Sequence, residues 1–309
     1  MERLIAHVHI MKTAGQTICD ILRRSLPGRH CDLRCGEIAT LRDIAFARWF
    51  YPQLVSVAGH SLRPHGRLAQ EPGLDFYTIL REPIGRSLSH YQFLAQRNSR
   101  LPDFVTWMRR SANYQTRFLC GTPSSDAAIE TLERRLTFVG LLEEFPASLL
   151  MWRSWSGLDL RLQHRGRNFA HDNSLRDTIA ANPAWMECAA EANQLDLKVY
   201  RYVRDTIFPR QQAAYAGSLA DDLVEWNKAD DVAQRPGQPS SFAPFAARGR
   251  ELRWDHARRG LLYKPAAKLR HAWLAATQLA ATRLAATRLG GSPASPSSAD
   301  DEPEGERPR

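Results

Sequence analysis

The stretch HVHIMKTAGQTICDILRRSL, residues 7–26, limits the possible folds more than any other. An apolar run over 4–10 reads as a buried strand. It stops at a short turn holding Lys12, Thr13, Gly15 and Thr17, and helical spacing takes over at 15–25, with Ile18, Ile21, Leu22 and Leu26 on one face. A strand, a tight loop and a helix N-terminus in that order leave amide N–H groups and the positive end of a helix dipole at the turn. Such a junction is an anion site before any side chain is counted.

The same alternation recurs. A helical stretch over 39–51 precedes LVSVAGH (54–60), a short strand ending in Gly-His, and DFYTILREP (75–83) is a third strand, stopped by Pro83 at the start of another helix. Beyond residue 100 the spacing predicts helices over 101–110, 124–135, 144–155 and 183–204, with one further strand, LTFVGLL, over 136–142. The expected fold is therefore α/β: a P-loop-like central parallel β-sheet flanked by helices, with a mostly helical C-terminal part. Ligands of such sheets bind outside the carboxyl ends of the strands, where all three turns of interest lie.

The chain divides into an α/β domain over 1–227, a loop-rich segment with an Ala-rich basic helix over 228–289, and a tail over 290–309. In LAATQLAATRLAATRL (274–289) the leucines recur every five residues, so successive ones turn by about 140° and make no single stripe. A solvated basic helix is the preferred reading, ahead of a weak contact with a membrane surface. The tail has too little apolar content to order itself.

A formal net charge of +9 points to a polyanionic partner without choosing among nucleic acid, membrane, phosphorylated cofactor or acidic polysaccharide. Five cysteines, at 19, 31, 35, 120 and 188, are odd in number and scattered, unlike a disulfide framework. His30, Cys31 and Cys35 resemble half a metal site, but no second pair with ligand spacing follows, so no metal is expected. The opening MERLIAHVHI enters a strand directly and no run reaches the roughly 20 apolar residues of a membrane span. A cytoplasmic protein is expected.

A Walker loop places its Lys after several glycines; here Lys12 precedes the single Gly15. No G-x-G-x-x-G follows the strand either, which disfavours a dinucleotide fingerprint. In the second constellation, ILREPIGRSLSHY (79–91), Arg81 stands at a strand end where its planar fork suits a phosphate, and Ser89 lies about two turns into the next helix. Alone, Arg81 reads as the partner of a carboxylate such as Glu82 or Glu143. Beside the first loop it reads differently, since two anion sites on adjacent parallel strands imply a cofactor with two separated phosphate groups.

These residues resemble the glycan O-sulfotransferases that use 3′-phosphoadenosine 5′-phosphosulfate (PAPS), in particular the heparan and uronyl 2-O-sulfotransferases. HIMKTAGQT is similar to their 5′-phosphosulfate loop, and LREPIGRSLSHY to their 3′-phosphate segment; NYQTRFLCG (113–121) and FVGLLEEFPASL (138–149) follow in the family's order. The resemblance covers roughly residues 3–210. The chain departs from the usual pattern at Met11, where a Pro is common, and at Gln16, where a hydroxyl residue is common, while Thr17 keeps the second hydroxyl. The resemblance implies that Lys12, Thr13, Ala14, Gly15, Gln16, Thr17, Arg81 and Ser89 bind PAPS.

Sulfuryl transfer, treated by analogy with phosphoryl transfer, depends mostly on positioning and electrostatics. Lys12 is placed to stabilise charge on the departing oxygen, and the acceptor hydroxyl needs a base. Of the ten histidines, His60 is chosen: it ends a strand at the edge that carries Lys12 and Arg81, and the resemblance puts the family's base in such a Gly-His turn. His9 reads as packed, His65 as a loop residue and His90 as helical. Tyr114, Gln115 and Arg117, next to Asn113, offer an aromatic face and polar groups for a sugar. His164 and His171 lie in a polar segment that could line the acceptor groove, and Arg63, Arg67, Arg165 and Arg167 suit an acidic glycan, which is favoured over a neutral sugar or a glycolipid acceptor.

Two rival functions remain. A small-molecule kinase would need an acidic pair for Mg²⁺ after the strands, and none is present. A nucleic-acid-binding module would carry a helix-turn-helix, zinc or RNP-type signature, also absent, so no nucleic-acid partner is expected. The acceptor's identity and the oligomeric state are not legible in the sequence.

Overall fold

The computed structural model describes residues 3–33, 38–163, 174–234 and 258–288. Five strands, β1 (Leu4–Val8), β2 (His30–Asp32), β3 (Ser56–Gly59), β4 (Leu74–Leu80) and β5 (Leu136–Leu141), form one sheet in the order β2-β3-β1-β4-β5. Every neighbouring pair is parallel. β1 is buried along its whole length, as expected where both faces of a parallel sheet are covered.

The chain leaves β1 through α1 (Gly15–Ser25) to reach β2 at one edge, passes through α2 (Leu41–Phe50) to β3, and then crosses to β4 on the far side of β1. The sheet therefore changes direction at β1, where ligands of such sheets gather at the strand C-termini. Thr78 of β4 ties this edge together by donating its hydroxyl to the Val8 carbonyl at 2.8 Å.

From β4 the chain enters α3 (Pro83–Ala95), then α4 (Phe104–Arg110), α5 (Tyr114–Cys120) and α6 (Ser125–Arg135) before β5. After β5 come α7 (Phe145–Ser156), α8 (Ser174–Ala180), α9 (Pro183–Ala192), α10 (Gln194–Tyr202) with a π turn at its end, α11 (Phe208–Ala213) and α12 (Leu219–Gln234). α3 has a double burial. Leu88 and Tyr91 on its outer side join Phe104, Trp107, Met108, Ile179 and Ala189 in a second small core. That core anchors the helix that follows Arg81.

The strong βα boundaries match the sequence expectation closely, α1 over all its residues. β2, α5, α8, α11 and α12 are additions, and the one helix expected over 183–204 is broken at Asn193 into α9 and α10. β2 is three residues long, and its His30 and Asp32 side chains are tied up: His30 pairs its Nδ1 with Ser56 Oγ at 3.1 Å and its Nε2 with Asp32 Oδ1 at 3.2 Å, while Arg23 holds Asp32 at 2.7 Å. The residues that resembled half a metal site are thus sheet and network residues, with Cys31 buried; Cys35 lies outside the described residues.

The fold divides into two units, Met1–Pro265 and Ala266–Arg309. The loop-rich stretch expected from residue 228 starts as helix, since α12 runs on to Gln234; the rest of it, like the tail expected to be disordered, lies outside the described residues. A π turn over Arg258–Tyr263 leads into α13 (Lys264–Arg288), the helix expected from the Ala-rich repeat.

Candidate active site

The loop after β1 is strained before anything binds. Lys12 and Ala14 sit in the left-handed region at φ 69° and 63°, a conformation non-glycine residues rarely hold. Ala14 caps α1 without a side-chain hydrogen bond, and the amides of Gly15, Gln16 and Thr17 find no acceptor among the described residues. Successive free N–H groups in such a turn make an anion-binding concavity at the positive helix end.

Gly15 is required by a close approach rather than by its backbone angles. A Cβ there would lie 1.9 Å from Cδ2 of His9. The His9 ring, buried against Gly15, also packs on that of His60, with centroids 4.0 Å apart and planes tilted by 31°. His60 donates Nδ1–H to the His9 carbonyl at 2.6 Å, because a carbonyl can only accept. This bond assigns the tautomer and leaves Nε2 with a free lone pair on an exposed residue.

Loss of water on the packed face, partly offset by the hydrogen bond to His9 and reinforced by the Arg63 charge, lowers the His60 pKa below its ordinary value of 6.5. The ring is neutral at pH 7, as a proton acceptor must be. Arg63 donates to the His60 carbonyl and lays its guanidinium over Phe118 at 3.6 Å. The competing histidines are held elsewhere. Burial lowers His9 to about 3 and His90 to about 4, too weak for the task, and His65, bonded to the Leu119 carbonyl at 3.0 Å, has its Nε2 packed against Gly121.

Arg81 comes to the other side of the same loop, donating Nη1–H to the Lys12 carbonyl at 3.2 Å. The carboxylates that might have neutralised it are used otherwise. Glu82 accepts from the Ile84 and Gly85 amides at 3.0 and 2.6 Å, capping α3, and Glu143 accepts from the Glu82 amide at 2.9 Å and the Tyr200 hydroxyl at 2.8 Å. Neither forms an ion pair with Arg81.

The Lys12 amine lies over the Phe93 ring at 4.7 Å, and the Arg97 guanidinium covers the same ring at 3.8 Å. Burial first, then Arg81 and Arg97, lower the Lys12 pKa; burial lowers that of Arg81, opposed by the nearby charges of Glu143 and Glu82 and reinforced by that of Arg176. Lys12, Arg81, Arg97 and Arg176 form no ion pair among the described residues. Gathering cations without direct ion pairs costs stability, and a bound anion relieves that cost. Ser89, half-buried one helical turn before Phe93, has a hydroxyl with no partner among the described residues.

Several expected ligands take other roles. The Thr13 hydroxyl is fully buried and donates to the Ile10 carbonyl at 3.1 Å, so it braces the loop and only its backbone can face an anion. Gln115, expected against the acceptor, is buried and spends its amide on Arg81, accepting from the Arg81 N–H at 3.1 Å and donating to the Arg81 carbonyl at 2.8 Å. Asn113 accepts from the amides of Leu195 and Asp196 at 2.9 and 3.3 Å. Asp196 in return accepts from Gln115 and Thr116 at 3.0 and 2.6 Å, so α5 and α10 cap each other.

Tyr114 stays half-buried, and Gln16, Arg67 and Arg117 are exposed. Thr17 is nearly buried, with no hydrogen bond from its hydroxyl among the described residues. His164, Arg165, Arg167 and His171 lie outside the described residues.

Sequence reasoning missed Arg86. Its side chain is fully buried under the Tyr114 ring at 4.6 Å and donates to Ser87 Oγ at 2.9 Å, while Nε has no partner among the described residues. The available signal was its position four residues after Glu82 and three before Ser89, within one helical turn of each.

Compared with known proteins, the chain matches no family model and no curated protein.

Proposed function

We propose that this protein is a sulfotransferase that moves a sulfuryl group from PAPS to a hydroxyl of a carbohydrate acceptor. One observation carries the reading: the His60 imidazole and the Arg81 guanidinium both bond backbone carbonyls of the single loop that also holds Lys12. A base, an anion fork and an amine thus share one sheet edge, beside amides with no acceptor among the described residues.

The cradle fits a nucleotide with two anionic ends. The amides of Gly15 to Thr17, the Thr17 hydroxyl and Lys12 would hold the phosphosulfate end, and Arg81 with Ser89 the 3′-phosphate. When bound, PAPS supplies the activated sulfuryl group. His60 takes the acceptor proton on Nε2, while its Nδ1–H stays on the His9 carbonyl and stabilises the imidazolium that forms. Lys12 and the α1 amides meet the negative charge that grows on the oxygen departing with the nucleotide. Tyr114, Arg63 and Arg117 would face the acceptor, an anionic glycan or glycolipid. The buried free thiol of Cys19 suits a reducing, cytoplasmic compartment.

Calorimetry with 3′,5′-adenosine bisphosphate tests the cradle. Micromolar binding without metal, weakened by Arg81→Ala, is expected; metal-dependent ATP binding in its place would overturn the reading. A mass-spectrometric screen of glycans incubated with PAPS then identifies the acceptor by the gain of one sulfate.

A further inference from the structure

The net charge of the chain is concentrated in one place. Between Arg258 and Arg288 there are seven Lys and Arg and no Asp or Glu, so this segment carries seven of the nine net positive charges. The remainder of the chain is close to neutral, so the excess positive charge in the composition comes from this segment and not from the proposed site.

The second unit shows what else the segment presents. On α13, Leu269 is 73% exposed and Trp273 is 65% exposed. Four residues apart, they stand within about 40° of each other around the helix, and Ala276, also exposed, continues the stripe. The exposed Lys268 and the half-buried Arg270 flank Leu269. The five-residue leucine repeat hides this stripe, because it starts before the repeat and does not follow it.

A nucleic acid or an acidic polysaccharide would account for the charge and stack on the Trp ring, but it offers nothing for the exposed Leu one turn away. A bilayer with anionic headgroups accounts for both: Leu and Trp enter the interface, and Lys and Arg stems extend along it to the phosphates. No helix among the described residues is long and apolar enough to cross a membrane, so α13 would lie on the surface rather than span it. We infer that α13 is a membrane-surface anchor that docks the protein on anionic lipid through Leu269, Trp273 and the basic residues around them.

The test uses the full chain and sedimentation with vesicles of phosphatidylcholine, with and without phosphatidylglycerol. Binding to the anionic vesicles is expected to be at least about tenfold tighter than to neutral ones and to fall as salt rises. The double variant Leu269→Glu/Trp273→Glu should lose most of it, whereas Trp273→Phe should keep it; both keep the wild-type melting temperature because the side chains are exposed. Equal binding to neutral and anionic vesicles overturns the inference, and so does indifference to the double variant. A dimer in solution that the double variant dissociates would also overturn it, by assigning the stripe to a second copy of the chain. None of these readouts depends on the proposed activity.

Discussion

His60 and His9 are joined twice, by the 2.6 Å hydrogen bond from Nδ1–H of His60 to the His9 carbonyl and by the tilted contact of their rings. The bond sets the tautomer, and the ring contact limits rotation of the imidazole. His9 also leans on Gly15, so the proposed base and the proposed anion cradle rest on one imidazole.

Replacement of His60 by Ala should lower kcat at least about a hundredfold and leave bisphosphate binding nearly unchanged, the mark of a lost general base. Steady-state kinetics beside calorimetry separate the two effects. Wild-type turnover in the variant would move the base elsewhere.

The pH profile follows from the lowered pKa of His60. Protonation removes the lone pair, so activity is present above the folded pKa and lost as pH falls through it. The acid limb of kcat/KM should therefore have its midpoint below the ordinary value of about 6.5. An acid limb centred above that value would contradict the assignment.

A methyl group at position 15 has no room beside His9. Gly15→Ala should destabilise the protein by about 1–3 kcal/mol, as overpacking does, and weaken bisphosphate binding about tenfold or more. Adding His9→Ala should restore part of the stability, and a thermal-unfolding double-mutant cycle measures the coupling. Additive effects would show that the two residues do not interact.

Gln115→Ala should resemble a mild Arg81→Ala, weakening the bisphosphate with little change in acceptor KM. If acceptor KM alone rose, the side chain would face the sugar after all.

Asp32 accepts from Arg23 and His30, and these partners hold its carboxyl well below the usual range despite burial. The stability this adds is present above the unfolded carboxylate value of about 4 and is lost as pH falls below it. Asp32→Asn should cost about 3 kcal/mol at neutral pH in denaturant unfolding and flatten the acid side of the stability curve.

The βα frame was legible because its signals are local: β-branched runs, Pro83 at the head of α3, and helical spacing after Gly15. Three site positions, Lys12, His60 and Arg81, could be placed on one edge from topology alone, since parallel strands bring their C-termini together. What escaped depends on long-range partners. Gln115 and Thr13 look like ligands in sequence because nothing local reveals that a carbonyl 34 residues away, or one three residues back, already takes their hydrogen bonds. β2 is too short to show a period, and its pairing with β3 rather than any propensity makes it a strand.

Gln115 has a mechanical consequence. Its carboxamide grips the peptide unit of Arg81 from both sides, so α5 and the end of β4 are riveted at one point. A molecule leaning on α5 pushes the same peptide plane from which the guanidinium hangs. The two walls of the cleft therefore cannot be reshaped independently: a change that refits one is transmitted to the grip of the other.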